Sequence, residues 1–131
     1  MDLKTVFRPS ESETAFLEAK LFRHNCREIE HYAYEDFVIK SEEGSGTIVG
    51  GIHCQVGGGW LYVASLWVEE EHRGRGLKRL LAQAEMIALQ KQCRGAYLYT
   101  YGFQNPGFYQ KLGYDVFGAL EQFTETIRSC I

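Results

Sequence analysis

Residues 60–81 read Trp-Leu-Tyr-Val-Ala-Ser-Leu-Trp-Val-Glu-Glu-Glu-His-Arg-Gly-Arg-Gly-Leu-Lys-Arg-Leu-Leu. The stretch opens with a continuous apolar run over residues 60–68, rich in Val, Trp and Tyr, which is typical of a buried strand. A charged loop and two glycines follow. Apolar side chains then recur at the spacing of one helix face, at Leu77, Leu80, Leu81, Ala84, Ile87 and Ala88. The stretch therefore predicts a strand, a glycine turn and a helix.

The junction between this strand and this helix is a candidate anion site. The first turn of a helix has four backbone N–H groups without an acceptor inside the helix, at the positive end of the helix dipole. Gly74 and Gly76 let a ligand approach the backbone, while Arg73 and Arg75 add positive charge. We interpret residues 73–78 as a pyrophosphate cradle. The alternative is that the two glycines only permit a tight turn.

The remaining elements follow from apolar periodicity, glycines and prolines. The predicted helices are one from Ser10 or Ser12 to about Asn25, a second short helix or a loop over 26–34, a long helix over 77–93 with Gly95 as its C-cap, and a short helix over 107–112 ended by Gly113. The predicted strands cover 4–7, 36–40, 47–56, 60–68, 96–101 and 114–117, with a return strand within 125–131. Gly50 and Gly51 indicate a bulge or close packing.

Two connections decide the topology. The short glycine loops at 42–46 and 57–59 predict an antiparallel meander of three strands. The helix between strands 60–68 and 96–101 makes those two strands parallel, as a βαβ crossover. The sum is an α+β fold with one mixed sheet and helices packed on it.

The totals limit the class of protein. A chain of 131 residues predicts a single domain over residues 1–131. A formal charge of −3 argues against nucleic acid as a partner. No apolar run approaches 18 residues and the first residues contain no apolar signal core, so we expect no membrane span or leader. Four scattered cysteines without a Cys-x-x-Cys pair suit reduced thiols in the cytoplasm, and we expect no metal site.

Two motifs carry a resemblance. Arg73-Gly-Arg-Gly-Leu-Lys78 resembles the Gln/Arg-x-x-Gly-x-Gly/Ala signature of the GNAT superfamily of N-acetyltransferases, and residues 66–68 are similar to that family's fourth strand. Phe-Tyr-Gln-Lys-Leu-Gly-Tyr at 108–114 is similar to the family's late Tyr-x-Lys-x-Gly-Phe/Tyr element. The motifs stand in the family's order, and the surrounding segments fit from about residue 35 to residue 118. The sequence departs from the pattern at Lys78, where the family has Gly or Ala.

The resemblance implies a fold and a cofactor. The fold would be a GNAT-like mixed, mostly antiparallel sheet flanked by helices on both faces, with the parallel crossover between the family's fourth and fifth strands. Those strands splay apart in the family, and the pantetheine arm of acetyl-CoA lies between them. The residues that would bind the cofactor are Leu66, Trp67 and Val68 on the strand and Arg73, Gly74, Arg75, Gly76, Leu77 and Lys78 at the turn. The ammonium group of Lys78 either reaches the phosphates or its bulk obstructs them.

Two residues are candidates for proton transfer. Tyr109 resembles the family tyrosine that protonates the departing CoA thiolate, and a phenol is a proton donor near pH 7. The alternative is a tyrosine of the core or rim. An alkylamine with a pKa near 10.4 is neutral in only about one molecule in 2,500 at pH 7, so a base or a less basic acceptor is needed. The strand 60–68 has no carboxylate, and His53 is the candidate base through water, unless it is structural.

Acceptor contacts are the least determined. Glu28, His31 and Tyr32 lie in the segment that shapes the acceptor pocket in relatives. Tyr101 shares a strand face with Tyr97 and Tyr99, and such a stripe either packs or holds a cation.

Three functions remain open. The first is an acetyl-CoA-dependent N-acetyltransferase that acts on a small-molecule amine by direct attack in a ternary complex; family habit would make it a homodimer. The second is a CoA or acyl-CoA sensor without catalysis. The third is an interaction domain that binds no nucleotide.

Overall fold

The structure, a computed structural model, describes residues 1–29, 34–101, 104, 106–124 and 127–130, and excludes the side chains of residues 121–124 and 127–130. The chain divides into two compact units, residues 1–33 and residues 34–131. The first unit contains one helix. The second contains all seven strands of the described chain.

Helix α1, Glu11–Glu28, forms the first unit. Ser10 is its N-cap and makes a capping box, because the Ser10 hydroxyl accepts from the Glu13 amide and the Glu13 carboxylate accepts from the Ser10 amide, both at 3.3 Å. The predicted cap is therefore confirmed at the first of its two candidates. The helix ends at Glu28, three residues past the predicted Asn25, so residues 26–28 belong to it and do not begin a second helix or a loop.

The predicted strand over residues 4–7 is wrong. These residues are exposed and adopt no regular structure. None of the described strands pairs with them, and an extended segment becomes a strand only by hydrogen bonding to a neighbour.

The second unit begins with the predicted meander. Strands β1, Glu35–Glu42, β2, Ile48–Gly57, and β3, Trp60–Val68, pair antiparallel in sequence order. A single 3-10 turn, Glu70–His72, leads into helix α2, Arg73–Gln90. Strand β4, Gly95–Tyr97, then pairs parallel with β3, which confirms the predicted crossover. The predicted α+β fold class, mostly antiparallel with one parallel pair, is confirmed.

One face of this sheet carries the core of the unit. Helix α2 buries Leu80, Leu81, Ala84 and Ala88, the 3–4 spacing of one helix face. They meet Ile52 and Cys54 of β2 and Leu61, Val63 and Val68 of β3. Each large aliphatic side chain buried in this way contributes about 1.5–3 kcal/mol relative to exposure.

The start of α2 corrects the prediction. The helix begins at Arg73 rather than at residue 77, so Gly74 and Gly76 lie in its first turn, and neither has a positive φ. They therefore do not form a turn before the helix. A Cβ at Gly76 would lie 2.9 Å from Cγ1 of Val68, whereas a Cβ at Gly74 would meet nothing within 4 Å. Gly76 lets the helix approach β3, and Gly74 leaves open space.

The end of α2 also differs from the prediction. The helix ends at Gln90, and Gln92 takes the left-handed conformation with φ +61°. The Cys93 amide donates to the Ala88 carbonyl and the Gln92 amide donates to the Leu89 carbonyl, which is a Schellman motif. Gly95 is not the C-cap. It begins β4, where a Cβ would lie 2.5 Å from the Trp60 ring.

The predicted strand over 96–101 is broken in two. Pairing with β3 stops at Tyr97, and strand β5, Thr100–Tyr101, pairs instead with strand β7, Ile127–Cys130. Strand β6, Ala119–Thr124, completes a second, three-stranded sheet in the order β5-β7-β6. The expectation of one continuous sheet is therefore wrong. The splay that the resemblance implied is confirmed, because the chain leaves β3 after Tyr97.

The last segment corrects two further details. Helix α3, Pro106–Lys111, ends before Gly113, whose φ is +95°, as predicted within one residue. The predicted strand over 114–117 is wrong, because that segment pairs with none of the described strands and regular pairing begins only at Ala119. The return strand expected within 125–131 is confirmed as β7.

The glycine pair of β2 is explained by packing. A Cβ at Gly50 would lie 3.0 Å from Cγ2 of Val68 and 3.1 Å from the Trp67 carbonyl oxygen, which confirms close packing. A bulge also lies beside the pair, because Ser41 pairs with Gly50 and Glu42 pairs with Ile48, which leaves Val49 as an extra residue. A second bulge, between β2 and β3, lies at Ala64. Among the helices of the described residues, none has the length and apolar character to cross a membrane.

Candidate functional site

A cleft of about 740 Å³ lies where the chain leaves β3. One wall is the second half of β3, and the other is the segment from Leu98 to Tyr101. Its lining residues are 63–68 of β3, Arg73, Gly74 and Leu77 of α2, residues 98–101, Gln104, Phe108 and Tyr109. The cleft exists because β4 pairs with β3 only from Trp60 to Tyr62, so the rest of that strand edge has no strand neighbour in the described chain.

The open edge of β3 can bind an extended ligand. Across the other edge, His53 pairs with Ser65 and Cys54 pairs with Val63, which leaves Ala64 as an extra residue in a bulge. An unpaired strand edge presents backbone N–H and C=O groups to any chain that carries amides. The predicted cofactor residues Leu66, Trp67 and Val68 lie on this edge and line the cleft.

Arg73 lies at the end of the cleft, between β3 and α2. Its Nε donates to the Val68 carbonyl oxygen at 3.2 Å, and its own amide donates to the Glu70 carbonyl. The guanidinium is therefore oriented by the strand, while the amide of Arg73 already has a partner. Gly74 lines the cleft next to it.

The other predicted turn residues are placed differently. Leu77 lines the cleft, whereas Arg75 and Lys78 are exposed on α2 and Gly76 contacts Val68. His72, which the sequence did not single out, is the N-cap residue of α2. Its Nε2 lies 3.3 Å from Oε1 of Glu43, so the pair connects the β1–β2 loop to the beginning of the helix.

Tyr109 reaches the cleft from α3. Its ring packs edge-on against Phe108, at 5.1 Å, and against Tyr114, at 6.0 Å. Burial raises the pKa of the Tyr109 phenol, so the group is protonated at neutral pH. No hydrogen bond of its hydroxyl to another described residue is present, which leaves the proton available to a ligand in the cleft.

Gln104 is a cleft residue that sequence reasoning missed. Its Oε1 accepts from the Tyr101 amide at 3.0 Å and from the Thr100 hydroxyl at 3.4 Å. Thr100 is 6% exposed and is the buried polar side chain of the described core. Gln104 thus fixes the short β5 strand that forms one wall of the cleft. Gln104 comes three residues after Tyr101 in the sequence, and no local sequence pattern indicates such a contact.

His53 is oriented by a carboxylate. Its Nε2 lies 3.2 Å from Oδ2 of Asp36 on β1, and this pair was not foreseen because the register of β1 on β2 was unknown. His53 does not line the cleft, but its cross-strand partner Ser65 does. The two residues therefore lie side by side on the face of the sheet that points away from the core.

The predicted acceptor residues lie in different parts of the chain. Glu28 is the last residue of α1, in the unit of residues 1–33, and is exposed. His31 and Tyr32 lie outside the described residues. Tyr101 lines the cleft, as does Tyr99.

A second cavity, of about 860 Å³, adjoins the cleft. Leu98, Thr100 and Tyr109 line both spaces, so they form part of the wall between them. At its rim the Tyr114 hydroxyl donates to Glu85 at 3.4 Å. Burial, followed by the charge of Glu85, raises the pKa of Tyr114. Within the described part of the chain, no group of three or more His, Cys, Asp or Glu residues could hold a metal ion.

The sequence is similar to those of two known acetyltransferases. The chain is 40% identical over 86 residues to a blasticidin-S acetyltransferase of Streptomyces morookaense and 35% identical over 86 residues to an acetyltransferase of Agrobacterium fabrum. The matches cover 64% and 65% of this chain, and the chain spans 63% of the length of each relative.

Solved structures share the fold. An acetyltransferase of Bacillus cereus superposes with a TM-score of 0.84 at 27% identity, over 97% of this chain and 94% of that one. An Agrobacterium tumefaciens structure gives 0.92 at 25% identity, over 99% and 96%. A Bacillus anthracis acetyltransferase in complex with acetyl coenzyme A gives 0.62 at 21% identity, over 79% and 64%.

The cleft fits the acetyl donor of these enzymes, acetyl-CoA. An open strand edge suits the amides of a pantetheine arm, and Arg73 beside the open space at Gly74 suits a pyrophosphate. The sequence model of the acetyltransferase (GNAT) family matches residues 2–114. Over that length the match shows that this chain belongs to the GNAT family of acetyltransferases.

Proposed function

We propose that this chain is an acetyl-CoA-dependent N-acetyltransferase that transfers the acetyl group to a primary amine of a small molecule, by direct attack in a ternary complex. One observation carries the proposal. A single cleft combines the open edge of β3, the oriented guanidinium of Arg73 at its end and the protonated phenol of Tyr109 in its lining. The blasticidin-S acetyltransferase among its relatives supports a small-molecule acceptor.

The chain's own residues would bind and orient the donor. Residues 66–68 offer backbone partners along the cleft, and Arg73 with Gly74 holds the diphosphate at the helix start. Leu77 lines the same cleft. When bound, acetyl-CoA supplies the acetyl group as an activated thioester. Holding both reactants in one geometry removes much of the entropic barrier to their reaction.

Tyr109 serves as the acid in this proposal. Its raised pKa keeps the proton on the phenol at neutral pH, and Tyr109 is one of the residues that line the cleft, so it can give a proton to the leaving sulfur there. The reaction forms a C–N bond and breaks a C–S bond. The proton that Tyr109 gives to the sulfur is returned from solvent.

His53 serves as the base through a water molecule. With Nε2 held by Asp36, the remaining ring nitrogen, Nδ1, is the acceptor for a proton. Its position beside Ser65 places it next to the cleft rather than in it. Because His53 lies outside the cleft, the proposal includes a water molecule that carries the proton to the histidine.

A second function, a CoA or acyl-CoA sensor without catalysis, is favoured by two observations. Strand β3 carries no carboxylate, and Lys78 stands where the family has Gly or Ala. The homodimer, the cytoplasmic location and the single domain over residues 1–131 stay predictions.

One assay separates these functions. The full chain is incubated with acetyl-CoA and a panel of amines, and free thiol is measured together with CoA binding by calorimetry. The transferase predicts thiol release that depends on the amine. Binding of CoA without amine-dependent release would support the sensor, and absence of CoA binding would overturn both.

A further inference from the structure

Five aromatic rings form two contacting groups that follow one another on the unit of residues 34–131. Trp60 meets Tyr97 edge-on at 6.3 Å, and Tyr97 stacks on Tyr62 at 4.9 Å with 29° between the planes. In the sequence one residue, Leu98, separates Tyr97 of this group from Tyr99 of the second group. Tyr99 meets Tyr101 at 6.2 Å. We call these five residues the aromatic row.

The aromatic row faces away from the core of its unit. Side chains alternate along a strand. Leu61 lies between Trp60 and Tyr62, Val63 follows Tyr62, and both aliphatic residues are buried against α2. After β4 the side chains alternate in the same way, because Thr100 is buried between Tyr99 and Tyr101. Three rings of the row remain open: Trp60 is 43% exposed, Tyr97 41% and Tyr99 52%. A row that served only to fill a core would be buried.

The row leads to the place of the reaction. Tyr99 and Tyr101 line the cleft together with Tyr109, whereas Trp60 lies at the far end of β3. A molecule whose amine is in the cleft meets Tyr99 and Tyr101 there, and Trp60 and Tyr97 line the cavity that adjoins the cleft. Tyrosine and tryptophan faces carry negative electrostatic potential and bind ammonium or guanidinium groups. The net charge of −3 favours the approach of cations over that of anions.

We propose that the aromatic row binds a second, positively charged group of the acceptor. The acceptor would then be an organic cation that carries an ammonium or guanidinium group in addition to the amine that is acetylated. This inference rests on the proposed function for the identity of the acceptor, but cation binding by the row can be measured without catalysis. A cation on these rings gains roughly two- to thirtyfold in affinity over a neutral group of the same shape.

The test uses choline and its neutral carbon isostere, 3,3-dimethyl-1-butanol, on the full chain. Binding is followed by NMR of the tyrosine ring protons in the wild type, in Tyr97→Leu and in Tyr97→Phe. We expect choline to bind at least about fivefold more tightly than the isostere. We expect Tyr97→Leu to remove that preference and Tyr97→Phe to keep it, because phenylalanine retains the ring face. Both variants should keep the wild-type affinity for CoA, which also shows that they are folded.

Equal binding of choline and its isostere, or an equal loss in both variants, would overturn the cation site. In the thiol-release assay choline should compete with an accepted amine and not with acetyl-CoA; competition with acetyl-CoA alone would overturn the link to the acceptor. Self-association that disappears in Tyr97→Leu, without any preference for choline, would make the row an interface between copies of the chain. Failure of thiol release with every amine refutes the proposed transferase and leaves the choline result to decide cation binding by itself.

Discussion

The Nε atom of Arg73 donates a hydrogen bond to the carbonyl oxygen of Val68 at 3.2 Å. The last residue of β3 thereby holds the first side chain of α2 at the end of the cleft. The carbonyl at the end of the strand therefore accepts from a cationic side chain at the beginning of the helix. Because this hydrogen bond holds the guanidinium in one orientation, its remaining N–H groups can bind an anion with a smaller loss of side-chain conformational entropy.

Replacing Arg73 should weaken cofactor binding. Arg73→Lys keeps the charge but loses the planar fork that can bind the strand and a phosphate together, so we expect CoA affinity to fall about tenfold. Arg75→Ala is the control, because Arg75 is exposed and does not line the cleft. Calorimetric titration with CoA measures both. A larger loss in Arg75→Ala than in Arg73→Lys would contradict the assignment.

Alanine at the two glycines of α2 should have opposite effects on stability. Gly76→Ala brings a Cβ to 2.9 Å from Val68, and we expect a loss of about 1–2 kcal/mol in the free energy of unfolding, even after the gain in helix propensity. Gly74→Ala meets nothing within 4 Å and should gain up to about 1 kcal/mol. Urea unfolding without ligand measures this. Equal effects of the two substitutions would refute the separation of roles.

Tyr109→Phe should lower turnover and leave CoA affinity nearly unchanged. Phenylalanine keeps the ring contacts with Phe108 and Tyr114 but removes the proton, and general acid catalysis contributes about 100-fold or more. Because burial raises the pKa of Tyr109, its ionisation should reduce the wild-type rate only at a higher pH than that of an ordinary phenol. Steady-state kinetics over pH 6–10 check both points. Unchanged turnover in the variant would remove Tyr109 from the mechanism.

Two substitutions of Gln104 separate the role of its acceptor oxygen from the role of its size. Gln104→Glu keeps an oxygen for the Tyr101 amide, whereas Gln104→Leu keeps the size and loses the acceptor. We expect Gln104→Leu to cost about 1–2 kcal/mol in unfolding free energy and to raise the KM for acetyl-CoA, because β5 loses its support. Gln104→Glu should retain the stability. If the two variants are equally destabilised, the hydrogen bond is not what holds β5.

Stability should fall at alkaline pH, in part because of Cys54. Burial raises the pKa of its thiol from 9.0 to about 11, so above pH 9 the unfolded chain loses this proton before the folded chain does. The contribution is complete below pH 9 and is lost as the pH rises to 11, by about 3 kcal/mol in total. Urea unfolding from pH 8 to pH 10 should show a smaller fall for Cys54→Ala than for the wild type. Parallel curves would contradict this cause.

Much of the fold could be predicted from local patterns. The apolar spacing of α2, the glycine loops of the meander and the Ser10 cap each depend on neighbours within a few residues, and each was found. The two motifs identified the family because their residues lie close together in the chain. The failures share one cause. Residues 4–7 and 114–117 have the composition of strands, but a strand needs a partner that only the folded chain supplies.

The site was decided by tertiary structure. The sequence by itself determined that a buried strand is followed by two glycines, two arginines and an amphipathic helix, but it placed the beginning of that helix at residue 77, and the structure places it at Arg73. Only the packing of α2 on β3 showed that Gly76 contacts Val68 while Gly74 faces open space. The Asp36–His53 pair, the bulge at Ala64 and the aromatic row likewise follow from strand register. Register is set by contacts between residues distant in sequence, so local propensity carries no information about which side chains it brings together.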